Sequence, residues 1–209
     1  MTPIIKICGM KYPDNIAEVS HLSPTHLGFI FHKSSPRYVE DLCGESISAL
    51  PEGITPVGVF VDRAPDEILS IADDVGITTV QLHGHESPAD CRRLKEAGIT
   101  VWKAVGVDSD TSFDTLVPYI GVADLFVFDT KSPHHGGTGR KYDWRVLGTY
   151  LHDTPFLLSG GISPEDVAAI KAFSHPRLAG IDLNSRFEVS PGRKDIRLLQ
   201  SFLKEFKQI

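Results

Sequence analysis

Eight short apolar runs, rich in β-branched residues, recur along this 209-residue chain at nearly regular intervals. They span residues 3–8, 26–31, 55–61, 77–82, 99–104, 123–128, 154–159 and 177–182, and their starts lie 23, 29, 22, 22, 24, 31 and 23 residues apart. Such intervals leave room for a helix between consecutive strands, whereas the strands of a sandwich follow one another more closely. The runs are almost continuously apolar, as parallel strands covered on both faces should be. Proline and acid mark helix starts at Tyr12-Pro13-Asp14, Ala64-Pro65-Asp66-Glu67, Ser87-Pro88 and Ser163-Pro164-Glu165-Asp166. Proline's fixed φ and missing N–H cost little in a first turn, and carboxylates suit the positive end of the helix dipole. Helical stripes follow over 165–173 (Val167, Ala168, Ile170, Phe173) and 195–206 (Ile196, Leu199, Phe202, Leu203, Phe206). The pattern predicts an α/β fold, a single-domain (β/α)8 TIM barrel over residues 1–209. An open doubly wound sheet fits less well, since no nucleotide fingerprint accompanies the repeats.

Composition narrows the function. No apolar stretch approaches the ~20 residues of a membrane span, and the N-terminus enters a strand without a basic region or signal core. Three widely spaced cysteines (Cys8, Cys43, Cys91) show neither a disulfide framework nor zinc spacing, so a cytoplasmic protein is expected. A formal charge of −6 argues against nucleic-acid binding. It leaves room for an anionic small molecule, because a few basic residues at a cleft mouth can focus positive potential. Lys33, Arg37, Lys131, Arg140, Lys141, Arg186 and Arg193 all fall in expected loops after strands, and ordinary solvated charge accounts for at least half of them.

Barrels of this type carry their sites at the C-terminal ends of the strands. Cys8 ends the first run, where a thiolate can act as base or nucleophile if nearby cations lower its pKa; the plain alternative is a small buried hydrophobe. Cys43 and Cys91 lie in helical patterns and read as structural. Asp129 ends the sixth run, as a general acid with a raised pKa or as a loop or cap residue. Gly160-Gly161 ends the seventh run, and Asp182 leads into Asn184-Ser185-Arg186 after the eighth. Loops at these two positions commonly hold phosphate, where glycine lets backbone N–H groups approach an anion; a tight turn is the alternative for a single Gly-Gly. Gly136-Gly137-Thr138-Gly139 forms another glycine-rich loop. Arg37, in Ser35-Pro36-Arg37-Tyr38, suits a carboxylate or is a surface residue. His83-Gly84-His85 and His134-His135 invite a metal, but no ligand cluster supports one, and His83 reads better as a neutral hydrogen-bond donor.

The ordered set Lys6-Ile7-Cys8-Gly9-Met10, Ser35-Pro36-Arg37-Tyr38-Val39, Gly58-Val59-Phe60-Val61, Gln81-Leu82-His83-Gly84, Phe128-Asp129-Thr130, Gly136-Gly137-Thr138-Gly139, Ser159-Gly160-Gly161 and Ser190-Pro191-Gly192-x-Lys194-Asp195 resembles the phosphoribosylanthranilate isomerase family of tryptophan biosynthesis. The resemblance runs from residue 4 to the last helix. It implies a cofactor-free Amadori rearrangement, third on the route from chorismate to tryptophan. Asp129 would be the general acid that opens the ribose ring, and Cys8 the general base that removes the C2′ proton. Arg37 would bind the anthranilate carboxylate. His83, Gly160, Gly161, Asp182, Asn184 and Ser185 would contact the phosphorylated substrate, and Gly137 and Gly139 would help close over it. One departure stands out: many members carry Ser-Ser-Gly where this chain has Asn184-Ser185-Arg186.

A related ketol-isomerase of histidine biosynthesis performs the same rearrangement, but it resembles a two-aspartate scheme with aspartate on strand 1, where this chain has Cys8. A hydrolase or transferase with Cys8 as covalent nucleophile needs an adjacent base, and nothing in the sequence orients His83 for that. A non-catalytic phosphate-binding barrel has no use for both Cys8 and Asp129. Monomer and homodimer are equally compatible with the sequence.

Overall fold

The computed structural model describes residues 3–39, 44–131 and 141–207. Eight parallel strands close into a barrel in chain order. They are β1 (Ile4–Cys8), β2 (His26–Ile30), β3 (Thr55–Phe60), β4 (Thr79–Leu82), β5 (Thr100–Val107), β6 (Leu125–Thr130), β7 (Phe156–Leu158) and β8 (Leu178–Leu183). The continuous apolar runs resolve into two buried faces. Val57, Trp102, Ala104, Leu125, Val127 and Leu157 fill the barrel, while Ile5, Ile7, Phe29, Phe126, Phe128 and Ile181 belong to the larger cluster under the helices. The period-2 pleat makes this division, so within β6 the inward set Leu125, Val127 continues to Asp129.

Helices α1 (Pro13–Ser20), α3 (Pro65–Val75) and α4 (Pro88–Glu96) each begin with the expected proline. Ser87 and Asp90 complete a capping box on α4. The repeat is less even than its spacing implies. The segments after β5 and β6 are 3₁₀ turns, Phe113–Tyr119 and Trp144–Thr149, and the first of them contains Pro118. After β2 the described helix is only α2 (Gly44–Ser48). The expected helix over 165–173 splits into a 3₁₀ turn, Pro164–Asp166, and α5 (Val167–Ala172). Asp195 caps rather than joins α6 (Ile196–Phe206), accepting from the backbone N–H groups of Arg197 and Leu198.

Strand boundaries move for identifiable reasons. Ile77, expected in β4, instead closes the end of α3, its N–H donating to Ala72 O at 2.8 Å. At the other end β5 and β6 continue past their expected ends at residues 104 and 128, pairing Gly106 with Asp129 and Val107 with Thr130. An addition without an apolar signature is the hairpin β9 (Glu188–Ser190) and β10 (Arg193–Lys194), between β8 and α6. Asn15 of α1 pins it, accepting from Lys194 N at 2.7 Å and donating to Lys194 O at 3.0 Å.

Lys6 of β1 is in register with His26 of β2 on one side and Asp182 of β8 on the other. His26 lies against Trp102, ring centroids 4.9 Å apart. Burial, with Lys6 nearby, pushes its pKa down to about 4. As pH falls below 6.5 the unfolded chain takes up a proton that the folded chain refuses until about 4. Stability contributed by the neutral ring is therefore full above 6.5, declines across that window and is exhausted below it. Allowing for the ring's partial exposure, the expected loss is about 1–2 kcal/mol. Urea midpoints measured across this window should fall more steeply for the wild type than for His26→Gln. Equal slopes would remove His26 as the cause.

Candidate active site

Cys8 and Asp129 both reach the C-terminal rim, at the ends of β1 and β6. Cys8 is buried, and a β-carbon on its register partner Gly28 would lie 2.8 Å from Sγ. Glycine at 28 is what gives the sulfur its room. Burial raises the thiol's pKa; Lys6 and Lys194 oppose the rise without cancelling it, and Asp182 adds to it. Expectation had cations lowering the thiol, but desolvation outweighs them here. Cys91 is an ordinary core residue of α4, its thiol pushed up to about 11 by burial. Cys43 lies outside the described residues.

Asp129 is mostly buried at the barrel mouth, its side chain 18% exposed, and has a distinct partner on each oxygen. Its Oδ1 accepts from the backbone N–H of Thr130 at 2.7 Å, and Oδ2 lies 3.4 Å from His83 Nε2. Gln81, inward-facing on β4, places its Nε2 3.0 Å from His83 Nδ1. An amide nitrogen only donates, so this arrangement assigns the ring proton to Nε2, directed at Asp129. His83 thus meets the acid candidate directly, with its ring orientation fixed from behind. Gly160 is held at φ +87°, and a β-carbon there would come within 2.6 Å of Thr130 N and 3.0 Å of Asp129 Oδ1. Its glycine keeps the β7 loop clear of the carboxylate, a steric requirement separate from any anion. Gly161 follows, also at positive φ.

Arg37 is not a free guanidinium. Its Nε and Nη2 donate to Glu188 at 2.9 and 2.7 Å, a bidentate pair spanning 151 residues of sequence. Lys194 donates to Glu188 Oε1 at 2.7 Å and to Asn184 Oδ1 at 2.8 Å. Burial would raise the Glu188 carboxyl, but Arg37 and Lys194 hold it below the ordinary range. Asn184, the first residue of the departing tripeptide, therefore anchors a buried lysine. Ser185 opens the turn Ser185–Phe187, which carries Arg186 exposed. Asp182 is buried, bonded to Lys6 through Oδ2 at 2.9 Å, and its buried Oδ1 has no partner among the described residues. Asp129 and His83 also act on it electrostatically. One set of charges thus extends from Cys8 through Lys6 and Asp182 to Asp129 and His83.

Other basic residues serve local ion pairs: Lys131 with Asp108, Lys141 with Asp166, Arg193 with Asp14. Gly137, Gly139, His134, His135 and Arg140 lie outside the described residues. Among the described residues no three His, Cys, Asp or Glu side chains group to hold a metal, and no helix is long and apolar enough to cross a membrane. Sequence reading passed over Lys6, Gln81 and Glu188. A lysine at an inward position of an apolar strand was a usable signal; Glu188 carried none.

Comparison with known proteins gives a consistent result. The model of the family described as N-(5′-phosphoribosyl)anthranilate (PRA) isomerase matches residues 5–205. The N-(5′-phosphoribosyl)anthranilate isomerase of Parabacteroides distasonis is 44% identical over 204 residues, covering 97% of this chain and 92% of its own. The crystal structure of phosphoribosyl anthranilate isomerase from Thermotoga maritima superposes with a TM-score of 0.85 at 33% identity, covering 100% of both chains. Another structure of such an enzyme, in complex with reduced 1-(o-carboxyphenylamino)-1-deoxyribulose 5-phosphate, gives 0.82 at 30% identity, again over 100% of both chains.

Proposed function

Because the chain belongs to the N-(5′-phosphoribosyl)anthranilate isomerase family, and so is an isomerase of tryptophan biosynthesis, we propose that it works by acid–base catalysis between Asp129 and Cys8. The reaction is a cofactor-free Amadori rearrangement of N-(5′-phosphoribosyl)anthranilate to 1-(2-carboxyphenylamino)-1-deoxyribulose 5-phosphate. Asp129 gives its proton to the ribose ring oxygen as the C1′–O bond breaks, and the anthranilate nitrogen supplies the electron pair that forms the iminium. Cys8, as thiolate, removes the C2′ proton, and the C–H electrons neutralise the iminium to an enolamine. Proton return to C1′ and loss of the C2′ hydroxyl proton give the ketone.

The observation that carries this reading is the placement on one rim of a buried thiol beside Lys6 and a carboxyl partnered by His83. A buried thiol that ionises reluctantly is a strong base once ionised, which suits abstraction from carbon. His83, with its proton directed at Oδ2, steadies the carboxylate left after proton transfer. Asp182 Oδ1 is available to a ribose hydroxyl. The Gly160-Gly161 loop and the Asn184-Ser185 turn hold the phosphate. Arg37, its Nε and Nη2 committed to Glu188, faces the anthranilate carboxylate with its remaining N–H groups. The setting for this chemistry is the cytoplasm.

The direct test is the fluorescence decay of freshly made phosphoribosylanthranilate on adding purified, metal-free protein. Catalytic loss of signal with the deoxyribulose phosphate as product is expected. No acceleration over the spontaneous background, in a folded sample, would refute the assignment.

A further inference from the structure

Cys8 shares its side of β1 with Lys6, since residues two apart on a strand face the same way. The Lys6 side chain is fully buried, and its ammonium meets Asp182 Oδ2 at 2.9 Å. The same β-carbon position at Gly28 that would crowd Cys8 Sγ lies 3.1 Å from Lys6 Cε. Lysine tail and thiol therefore converge on one gap between β1 and β2. A buried ion pair is a poor way to fill a barrel, because desolvating two charges costs several kcal/mol and apolar residues of similar volume often do as well. Packing alone does not account for this pair.

Charges reach the thiol from three elements: Lys6 on β1, Asp182 on β8 and Lys194 on β10. Burial is the largest influence, and Lys6 is the strongest of those that favour the thiolate. Asp129 and His83 act one step away, on Asp182. Lys6 itself stays protonated: burial is the largest single influence and works against its charge, but Asp182 and Cys8 together outweigh it.

We propose that Lys6 is a positioning residue for the isomerisation, its ammonium holding the charge of the Cys8 thiolate while Asp182 keeps the lysine charged. This inference rests on Cys8 as the base of the proposed reaction. Lys6 makes and breaks no covalent bond. It leans on the thiolate before proton abstraction and returns its full attraction to Asp182 once the sulfur is neutral.

The test is the pH dependence of iodoacetamide alkylation at Cys8, mapped to its peptide by mass spectrometry. It is run on folded wild type, Lys6→Met, Lys6→Arg, Asp182→Asn and the Lys6→Met/Asp182→Asn double variant. The midpoint reports the thiol's ionisation even where access is slow. In Lys6→Met it should rise by at least about one pH unit, an alkylation rate about tenfold lower near neutrality. Asp182→Asn should move it down, because the thiolate becomes the lysine's remaining partner. The double variant should lie above wild type, and Lys6→Arg should restore the midpoint. The ascending limb of kcat/KM against pH should follow each shift.

An unmoved midpoint in Lys6→Met, with activity lost, would make the lysine structural and overturn the inference. If Lys6→Met does not fold, an unmoved midpoint in Asp182→Asn overturns it instead. Shifted midpoints in an enzyme whose turnover survives Cys8→Ser would uphold the lysine–thiol coupling while refuting Cys8 as the base.

Discussion

Asp129→Asn is expected to lower kcat by at least about 10², the low end of general acid–base contributions, while binding of a reduced product analogue changes much less. The substitution preserves shape, and the amide oxygen still accepts from Thr130 N, now 2.7 Å from Oδ1. The transferable proton is lost. A second effect follows from the partners. The new amide nitrogen would face His83 Nε2, two donors 3.4 Å apart, unless the ring moves its proton to Nδ1. That in turn requires Gln81 to present its oxygen, which is buried without a partner among the described residues. The relay can therefore rearrange at modest cost, and the variant should fold normally. Turnover from the fluorescence assay and affinity from titration separate the two terms; a kcat within about threefold of wild type would remove Asp129 as the acid.

Cys8→Ser should cost at least about 10² in kcat as well. A serine hydroxyl fits beside Gly28 with space to spare, so the barrel has no reason to rearrange. The hydroxyl is a far weaker acid than a thiol, and the alkoxide needed to take a proton from carbon is not populated near neutrality. The expected signature is loss of kcat with KM nearly unchanged, and disappearance of the limb of the pH profile that belongs to the thiol. Near-normal turnover would sink the base assignment. A large fall in analogue affinity would point instead to a binding role for the sulfur.

The barrel was legible because two periodicities coincide: β-branched runs at regular intervals, and proline-acid pairs where helices begin. What blurred was each unit's detail. Ile77 is apolar because it closes α3, which a strand pattern cannot distinguish from a strand start. Helices were expected between all strands, yet Phe113–Tyr119 is a 3₁₀ turn holding Pro118. In the site, strand-end position was enough to select Cys8 and Asp129 for attention. At Gly160 the chain shows the glycine but not the second demand on it, clearance of Asp129, which only the fold reveals. Glu188, 151 residues from Arg37, could not be paired with it from the chain alone. That contact depends on a hairpin with no apolar signature. Lys6 is different: a charge at an inward position of Ile4–Cys8 was in plain view, and only the pleat needed to be applied to it.

The register of β1 with β8 ties the beginning of the chain to its end. During synthesis the first strand leaves the ribosome some 170 residues before the last one exists, and domains assemble in that order. Until β8 arrives, Lys6 has no Asp182, the interior is open to water, and Cys8 is an ordinary solvated thiol. Truncated or half-made chains would thus carry the acid and the base residues and still lack the closed interior around the thiol. The buried, reluctantly ionising thiol beside its lysine exists only after closure, so the last strand acts as a completion check on the first.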